Sequence, residues 1–289
     1  MGKNMNYVVD SAGKGFGLIK KSAVPLYLDL VKVSALSTLV SLIGLAIVGI
    51  LLFVSLGGTF FASLAEEAGP DFSLGTILVL LATIPIFIIF SLLSQAVGSV
   101  VFNVVDNRTQ GKETTIIAQS KKNLMRVVRY TLIIWAIGLV ILLPVLLSIF
   151  LGGMGAAIGI CIFSALWAVA YVLFLFFTQF GMYELVLGRK GAVDSLKSSA
   201  TLTRANILSV ALLDIIVIVV GMATWAGARL FEVILQFIPA TLSLGGVWSM
   251  LLGYAIYLVL YIGVTVLISA FSQVIVIPVV YNFWKGLKG

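Results

Sequence analysis

The chain has 289 residues, of which 61% are hydrophobic and 10% are charged, and its mean hydropathy is +1.20. Soluble domains are about 45–50% apolar and about 25% charged, so a soluble fold cannot bury this much apolar surface. The sequence has no histidine and a single cysteine, Cys161. Histidine-based catalysis, an intrachain disulfide and Cys/His metal sites are therefore excluded.

Six apolar runs are long enough for a membrane-spanning helix, which needs about 20 residues. They cover approximately 26–56, 73–105, 127–151, 156–187, 207–231 and 245–284. The first run is too long for the apolar core of a secretory signal peptide, which spans about 7–15 residues, so we expect no such peptide. The sequence predicts an all-α, polytopic membrane protein that is a single membrane domain over 1–289, with six transmembrane helices arranged as three hairpins.

Charge alternates between the connectors of these six runs. The N-terminal segment, the 106–129 and 189–204 connectors and the C-terminal tail are basic, and of the 18 Lys and Arg residues only Arg229 lies elsewhere. Lys and Arg residues are retained in cytoplasmic loops. In a membrane protein, the net charge of +7 therefore indicates the topology and the contact with lipids before it indicates any other partner. Both termini are therefore predicted to be cytoplasmic, which requires an even number of spans.

The chain has three candidate repeats, 1–105, 106–187 and 188–289, each a basic segment followed by two spans. The alignment starts at Gly13, Gly111 and Arg189 and also superimposes Ser22 with Ser120 and Ser198, and Leu26 with Leu124 and Leu202. Each returning helix carries a hydroxyl–Gln pair. A true repeat would arrange the hairpins about a pseudo-threefold axis. The alternative is that basic segments resemble one another because they meet the same membrane interface.

The basic segments are predicted to form short amphipathic cytoplasmic helices in the headgroup plane. In the first segment, Phe16, Ile19, Ala23 and Leu26 recur at helical spacing. Candidate lipid-headgroup contacts are Lys20, Lys21, Lys121, Lys122, Arg126, Arg189 and Lys190. Each cation near an anionic leaflet contributes about 1 kcal/mol, which indicates anionic lipids as partners. The alternative for any single cation is that it only fixes topology.

Asp214 is the strongest candidate for an intramembrane polar site because it lies inside the fifth apolar run. It is either a proton or cation site or a structural clasp to a neighbouring helix or to Lys32. Gln95, Gln179 and Gln273 are candidates for the same site, since they would converge if the repeat is real. They form either a polar ring along a pathway or ordinary interhelical hydrogen bonds.

Two charge pairs and one aromatic cluster are predicted from local spacing. Asp29 with Lys32, and Arg229 with Glu232, are three residues apart and can pair on one helical face. The last span ends in a predicted aromatic belt at the cytoplasmic interface, formed by Tyr281, Phe283 and Trp284.

Residues 183–199 read Tyr-Glu-Leu-Val-Leu-Gly-Arg-Lys-Gly-Ala-Val-Asp-Ser-Leu-Lys-Ser-Ser, and Asn206 follows before the next span. This stretch, together with 276–281, resembles a broad prokaryotic membrane group. The group includes the membrane domain found beside glycerophosphoryl diester phosphodiesterases and related domains of unknown function. The resemblance implies about six helices and a plasma-membrane location. In that group hydrolysis belongs to a separate soluble domain with catalytic histidines, so no catalytic residue is carried over.

Three functions stay open at this point. The sequence favours a non-enzymatic integral membrane protein that organises lipid or a partner through its basic cytoplasmic face. The second is a transporter or channel for a small solute or lipid, with a site around Asp214. The third, a lipid-modifying enzyme, lacks an identifiable nucleophile–base pair. We expect no cofactor, no metal and no nucleic acid, and a membrane-protein partner or a homo-oligomer is compatible with the first two functions.

Overall fold

In the computed structural model, residues 2–66, 74–148, 150, 153–242 and 246–288 are described. Within these ranges the secondary structure is helical, without strands. The helices are α1 (Gly2–Glu66), α2 (Leu74–Gly98), α3 (Val100–Thr109), α4 (Ile116–Ser148), α5 (Gly153–Thr178), α6 (Gly181–Val186), α7 (Ala192–Ala205), α8 (Ile207–Leu242) and α9 (Val247–Leu287). The prediction of an all-α protein is confirmed.

Within the described ranges, six helical segments are long and apolar enough to cross a membrane, as predicted. They are Asn6–Phe53, Leu81–Thr109, Ile116–Ser148, Ala157–Val186, Ile207–Thr241 and Leu251–Leu287. Their middle parts, 35–53, 81–96, 132–148, 157–175, 211–241 and 251–273, are called the apolar shaft below. Large apolar side chains face outward there; Val140 is 70% exposed and Phe150, at its end, is 85% exposed. Such a surface is stable in hydrocarbon and not in water.

Breaks in the helices separate the shaft from shorter segments at one end. The dihedral angles of Ser22 (φ −139°, ψ 28°) interrupt α1 and set off its basic N-terminal part. Ser99 separates α2 from α3, and Asn206 separates α7 from α8. α1 thus begins well before residue 26, where hydropathy places the first span, because it includes a basic segment that joins the apolar one at the break at Ser22.

The hydrophobic core lies at the same end. Most of the buried residues belong to 2–34, 97–131, 176–210 and 274–288, which together are called the basic end below. The Tyr7 hydroxyl donates to the Phe283 carbonyl oxygen at 2.7 Å, so the first and last helices meet there. A Cβ on Gly15 would lie 2.8 Å from the Val279 Cα atom, so α1 and α9 cross with their backbones in close approach. The N-terminal part of α1 and the end of α9 therefore lie on one side of the bundle.

The prediction of an aromatic belt at the end of the last span is wrong. Phe283 is fully buried, and Trp284 is nearly so. Phe283 packs against the rings of Tyr7 and Phe180, and Trp284 packs against the ring of Tyr183. The N-terminal part of α1 and the residues around α6 cover these rings, so they belong to the core and not to a membrane interface.

Packing around the bundle is uneven. α1 packs against α2, α8 and α9, and α4 packs against α2 and α5. α5 and α8 do not pack closely against each other; α7, which packs against α5 and leads directly into α8, lies at the base of the gap between them. This gap is called the α5–α8 seam. Consecutive spans in contact are compatible with hairpins, while the pseudo-threefold repeat stays a prediction.

Candidate functional site

The basic end contains a partly buried ion pair between two segments that are far apart in sequence. Arg108 of α3 donates to Asp29 Oδ2 of α1 from Nε at 2.9 Å and from Nη2 at 2.5 Å. Lys32 Nζ lies 3.8 Å from Asp29 Oδ1, and the Lys32 side chain is exposed. The predicted Asp29–Lys32 pair is therefore present but secondary, because the guanidinium fork offers two donors to one carboxylate.

Glu184 is the charged centre of the basic end and is fully buried. Lys190 Nζ lies 2.9 Å from Oε2, and Lys288 Nζ lies 2.9 Å from Oε1. The Trp284 indole Nε1 also donates to Oε1 at 2.9 Å. The carboxylate thus joins α6, the connector that follows it and the end of α9.

Sequence reasoning did not assign a role to Glu184, although the residue stands inside the stretch that carries the family resemblance. The available signal was local: Glu184 follows an aromatic residue at the end of an apolar run and precedes Arg189 and Lys190. An acid in that setting needs cations when it is buried. Its second lysine, Lys288, is 104 residues away and could not be identified from spacing.

A third acid of the basic end also points into the protein. The Tyr281 hydroxyl donates to Asp106 Oδ1 at 2.6 Å, and Gln110 Nε2 donates to Oδ2 at 3.1 Å. Asp29, Asp106 and Glu184 are all engaged by protein donors. The charges of Asp29 and Glu184 are compensated by cations, whereas Asp106 is held by neutral donors and keeps its charge.

Six of the seven predicted headgroup contacts are exposed. They are Lys20, Lys21, Lys121, Lys122, Arg126 and Arg189, here called the exposed basic set. Within the described residues none of the six is in an ion pair. The seventh, Lys190, differs because it is held by Glu184 and donates to the Ser198 hydroxyl at 2.6 Å. Lys190 is thus part of the internal clasp.

Each basic segment presents a large apolar side chain four residues before an exposed lysine. These apolar–lysine pairs are Phe16 with Lys20, Ile117 with Lys121, and Val193 with Lys197. The apolar members are 52%, 74% and 49% exposed, respectively. Residues four apart share a helical face, so each segment exposes an apolar group beside a cation, as interfacial helices do.

Burial also suggests a different register for the candidate repeat. Ten residues after each exposed apolar side chain comes a fully buried one, at Leu26, Val127 and Thr203. Relative to the alignment on Gly13, Gly111 and Arg189, this register is shifted by three residues in the second segment and by one in the third. The first alignment matches positions by residue type, whereas the shifted alignment matches positions by how exposed or buried their side chains are.

Asp214 and Gln179 are brought together, as the intramembrane polar site required. Gln179 Nε2 lies 3.4 Å from Asp214 Oδ2 across the α5–α8 seam. The other two glutamines find different partners: Thr131 donates to Gln95 at 2.7 Å, and Gln273 donates to Ser269 at 3.2 Å. Hydrogen bonds do not join the three glutamines, so the structure gives the polar ring no support.

A cavity of about 430 Å³ opens at the base of the seam. It is lined by Phe177 of α5 and by Ala200, Thr201 and Arg204 of α7. Arg204 is exposed and is in no ion pair within the described residues. The cavity therefore combines an apolar wall with an unpaired guanidinium.

The remaining predicted contacts lie in the shaft. Arg229 Nη1 lies 2.5 Å from Glu232 Oε2, which confirms that pair. Cys161 is exposed on α5. Within the described residues, no group of three or more His, Cys, Asp or Glu side chains is arranged to hold a metal ion.

The arrangement of the basic end is suited to binding anions, because the six cations of the exposed basic set outnumber its three exposed acids, Asp10, Glu113 and Asp194. The resemblance carried by residues 183–199 stays a prediction. No protein-family model, curated protein or solved structure matches this chain.

Proposed function

We propose that the protein is a non-enzymatic integral membrane protein that gathers anionic lipids around its basic end. The observation that carries the proposal is the sorting of charge. Asp29 and Glu184 are paired with cations inside the protein, whereas no member of the exposed basic set is in an ion pair within the described residues. The exposed acids of the basic end, Asp10, Glu113 and Asp194, are fewer than these cations. Since each cation near an anionic surface contributes about 1 kcal/mol, several together give a strong preference for anionic headgroups.

The apolar–lysine pairs support the same proposal. An exposed Phe16, Ile117 or Val193 side chain can enter the boundary between headgroups and acyl chains, while the lysine on the same face stays at the phosphates. The proposal places the basic end at the cytoplasmic face of the plasma membrane, with both termini on that side, following the positive-inside rule.

The test is the lipid preference of the reconstituted protein. The full chain is placed in phosphatidylcholine vesicles with a spin-labelled phosphatidylglycerol or phosphatidylcholine, and the motionally restricted fraction of each is measured by electron paramagnetic resonance. We expect phosphatidylglycerol to be preferred several-fold. The K20Q/K21Q/K121Q/K122Q variant should lose most of this preference.

Two control variants separate charge from disturbance of the fold. K20R/K21R/K121R/K122R keeps the charge and should keep the preference. R229Q removes one cation from the shaft and should leave the preference unchanged. Equal restriction of the two lipids by the unmodified protein, or an unchanged preference in the glutamine variant, would rule out the proposal.

A second function, a pathway for a small solute or lipid, is favoured by one observation. The Asp214 carboxylate is in no ion pair within the described part of the chain and faces Gln179 across the seam. A carboxyl at that depth is costly unless it is used or well paired. Passage of a small solute or lipid along the seam should then depend on this group. If D214N leaves every measured solute flux and lipid scrambling rate in proteoliposomes unchanged, this second function is excluded.

A further inference from the structure

The base of the α5–α8 seam places the exposed Arg204 guanidinium beside a cavity with an apolar wall. We infer that the cavity there holds the headgroup of one anionic glycerophospholipid, with its phosphate at Arg204 and its acyl chains in the seam. The inference rests on the proposed function but goes further, because it assigns one lipid to one place instead of a general preference to a surface.

The position of α7 at the cavity is fixed by a buried serine. Where α5 ends and α6 begins, the Phe180 amide donates to Ser199 Oγ at 3.1 Å, and Ser199 Oγ donates to the Phe177 carbonyl oxygen at 3.0 Å. One hydroxyl thus satisfies two backbone groups that the helix break would leave unpaired. Ala200 and Thr201 follow directly, so these hydrogen bonds hold the cavity wall against α5.

The exposed face of α7 supplies groups that suit a phosphate. Lys197, Thr201 and Arg204 are spaced at i, i+4 and i+7 and are all exposed, whereas Ser195, Ser199 and Thr203 on the other face are buried. Arg204 can donate two parallel hydrogen bonds to phosphate oxygens. The Thr201 hydroxyl donates to the Lys197 carbonyl oxygen at 2.9 Å, and its oxygen can still accept a hydrogen bond from a glycerol hydroxyl.

The seam explains why the ligand is a lipid and not a soluble phosphate. α5 and α8 do not pack closely, and near the cavity Ile207 and Leu208 at the start of α8 expose apolar side chains. A gap between two membrane-spanning helices opens sideways into hydrocarbon, where acyl chains are the available filling. A ligand with a phosphate and two acyl chains matches both the Arg204 cation at the cavity and the apolar side chains that border the seam.

The test counts lipids that stay bound to the full chain in detergent. The protein is purified, delipidated, incubated with phosphatidylglycerol or phosphatidylcholine at equal concentrations, and examined by native mass spectrometry. We expect one phosphatidylglycerol per chain to be retained, and phosphatidylcholine to be retained about tenfold less. R204Q should lower phosphatidylglycerol retention about tenfold, and R204K should lower it less because it keeps the charge but not the fork.

Three further arms make the result specific. A200F fills the cavity without changing charge and should abolish the retained lipid, while K112Q removes an exposed cation from another connector and should not. A thermal unfolding curve checks that each variant is folded. Inorganic phosphate at millimolar concentration should not displace the lipid.

Failure of the site and failure of the proposed function are distinguishable. If folded R204Q and A200F retain phosphatidylglycerol as the unmodified chain does, the site is wrong, even where the spin-label preference of the basic end persists. Equal retention of the two lipids, or displacement by inorganic phosphate alone, would overturn the assignment of an anionic lipid.

Discussion

The basic end and the apolar shaft distribute their residues in opposite ways. At the basic end, aromatic rings, Asp29 and Glu184 are buried, and the exposed basic set faces outward. In the shaft, large apolar side chains face outward and much of the packing is between pairs of neighbouring helices. The difference shows that two solvents act on one chain, because water selects the first arrangement and hydrocarbon the second. It also implies that most of the buried core lies at the basic end.

The largest expected effect comes from placing one acid at equally exposed positions in the two regions. Val140 of the shaft and Ile117 of the basic end are 70% and 74% exposed. Val140→Asp should make the free energy of membrane insertion of α4 less favourable by about 3 kcal/mol, because an aspartate at the centre of a membrane helix costs about that much. Ile117→Asp should leave insertion nearly unchanged. The inserted fraction in a reporter-fusion assay measures both, and equal outcomes would break the comparison.

The next largest effect concerns the buried acid of the basic end. Glu184→Leu leaves Lys190 and Lys288 without their shared partner and should cost about 3 kcal/mol of unfolding free energy. The value is near the lower end for a buried ion pair because both lysines are about one third exposed. Thermal unfolding in detergent provides the measurement.

Two controls sharpen that result. Glu113→Leu changes an exposed acid and should have little effect. Adding K190M and K288M to Glu184→Leu should restore much of the lost unfolding free energy, since neither lysine charge is then left beside the buried site. If the Glu184→Leu variant has the same thermal unfolding curve as the unmodified chain, the basic end is not organised around this carboxylate.

A smaller effect tests the close approach of α1 and α9. Gly15→Val places a side chain against the Val279 backbone and should destabilise the protein by about 2 kcal/mol. Gly13→Ala, two residues earlier on the same helix, meets no atom within 4 Å. That change should be neutral or slightly stabilising, because alanine favours helix over glycine. The same melting assay distinguishes the two, and similar curves would place the crossing elsewhere.

The smallest effect separates the two cations of Asp29. Arg108→Gln should cost about 1 kcal/mol, because Lys32 is near enough to replace part of the lost interaction. Lys32→Gln should cost less than about 0.5 kcal/mol, as expected of an exposed partner. The double variant should then lose more unfolding free energy than the sum of the losses in the two single variants. Chemical unfolding resolves these differences, and the reverse order would favour the pair predicted from local spacing.

Hydropathy was sufficient for the spans but not for the basic end. The six apolar runs correspond to the six candidate membrane-spanning helices because partition into lipid depends on local composition. The partners of Asp29 and Glu184 depend on contacts between distant segments, which spacing along one helix does not report. Trp284 was predicted for the interface because its position in sequence suits a belt, yet the N-terminal part of α1 and the α6 region bury it.

The intramembrane polar site stays a prediction, although one contact between its residues is present. A lone acid in an apolar run needs a polar partner, and Asp214 with Gln179 meets that need. Convergence of all three glutamines depended on a symmetric arrangement of the hairpins. Gln95 and Gln273 instead have partners nearby in the bundle, Thr131 and Ser269, that composition does not single out.

Cys161 gives direct experimental access to the motions of the molecule. It is the chain's only cysteine, and it is exposed on α5, one of the two helices that border the seam. A lipid-permeable thiol reagent therefore labels this helix without any prior substitution. One additional cysteine on α8 would convert the width of the gap into a spectroscopic distance, recorded with and without bound lipid.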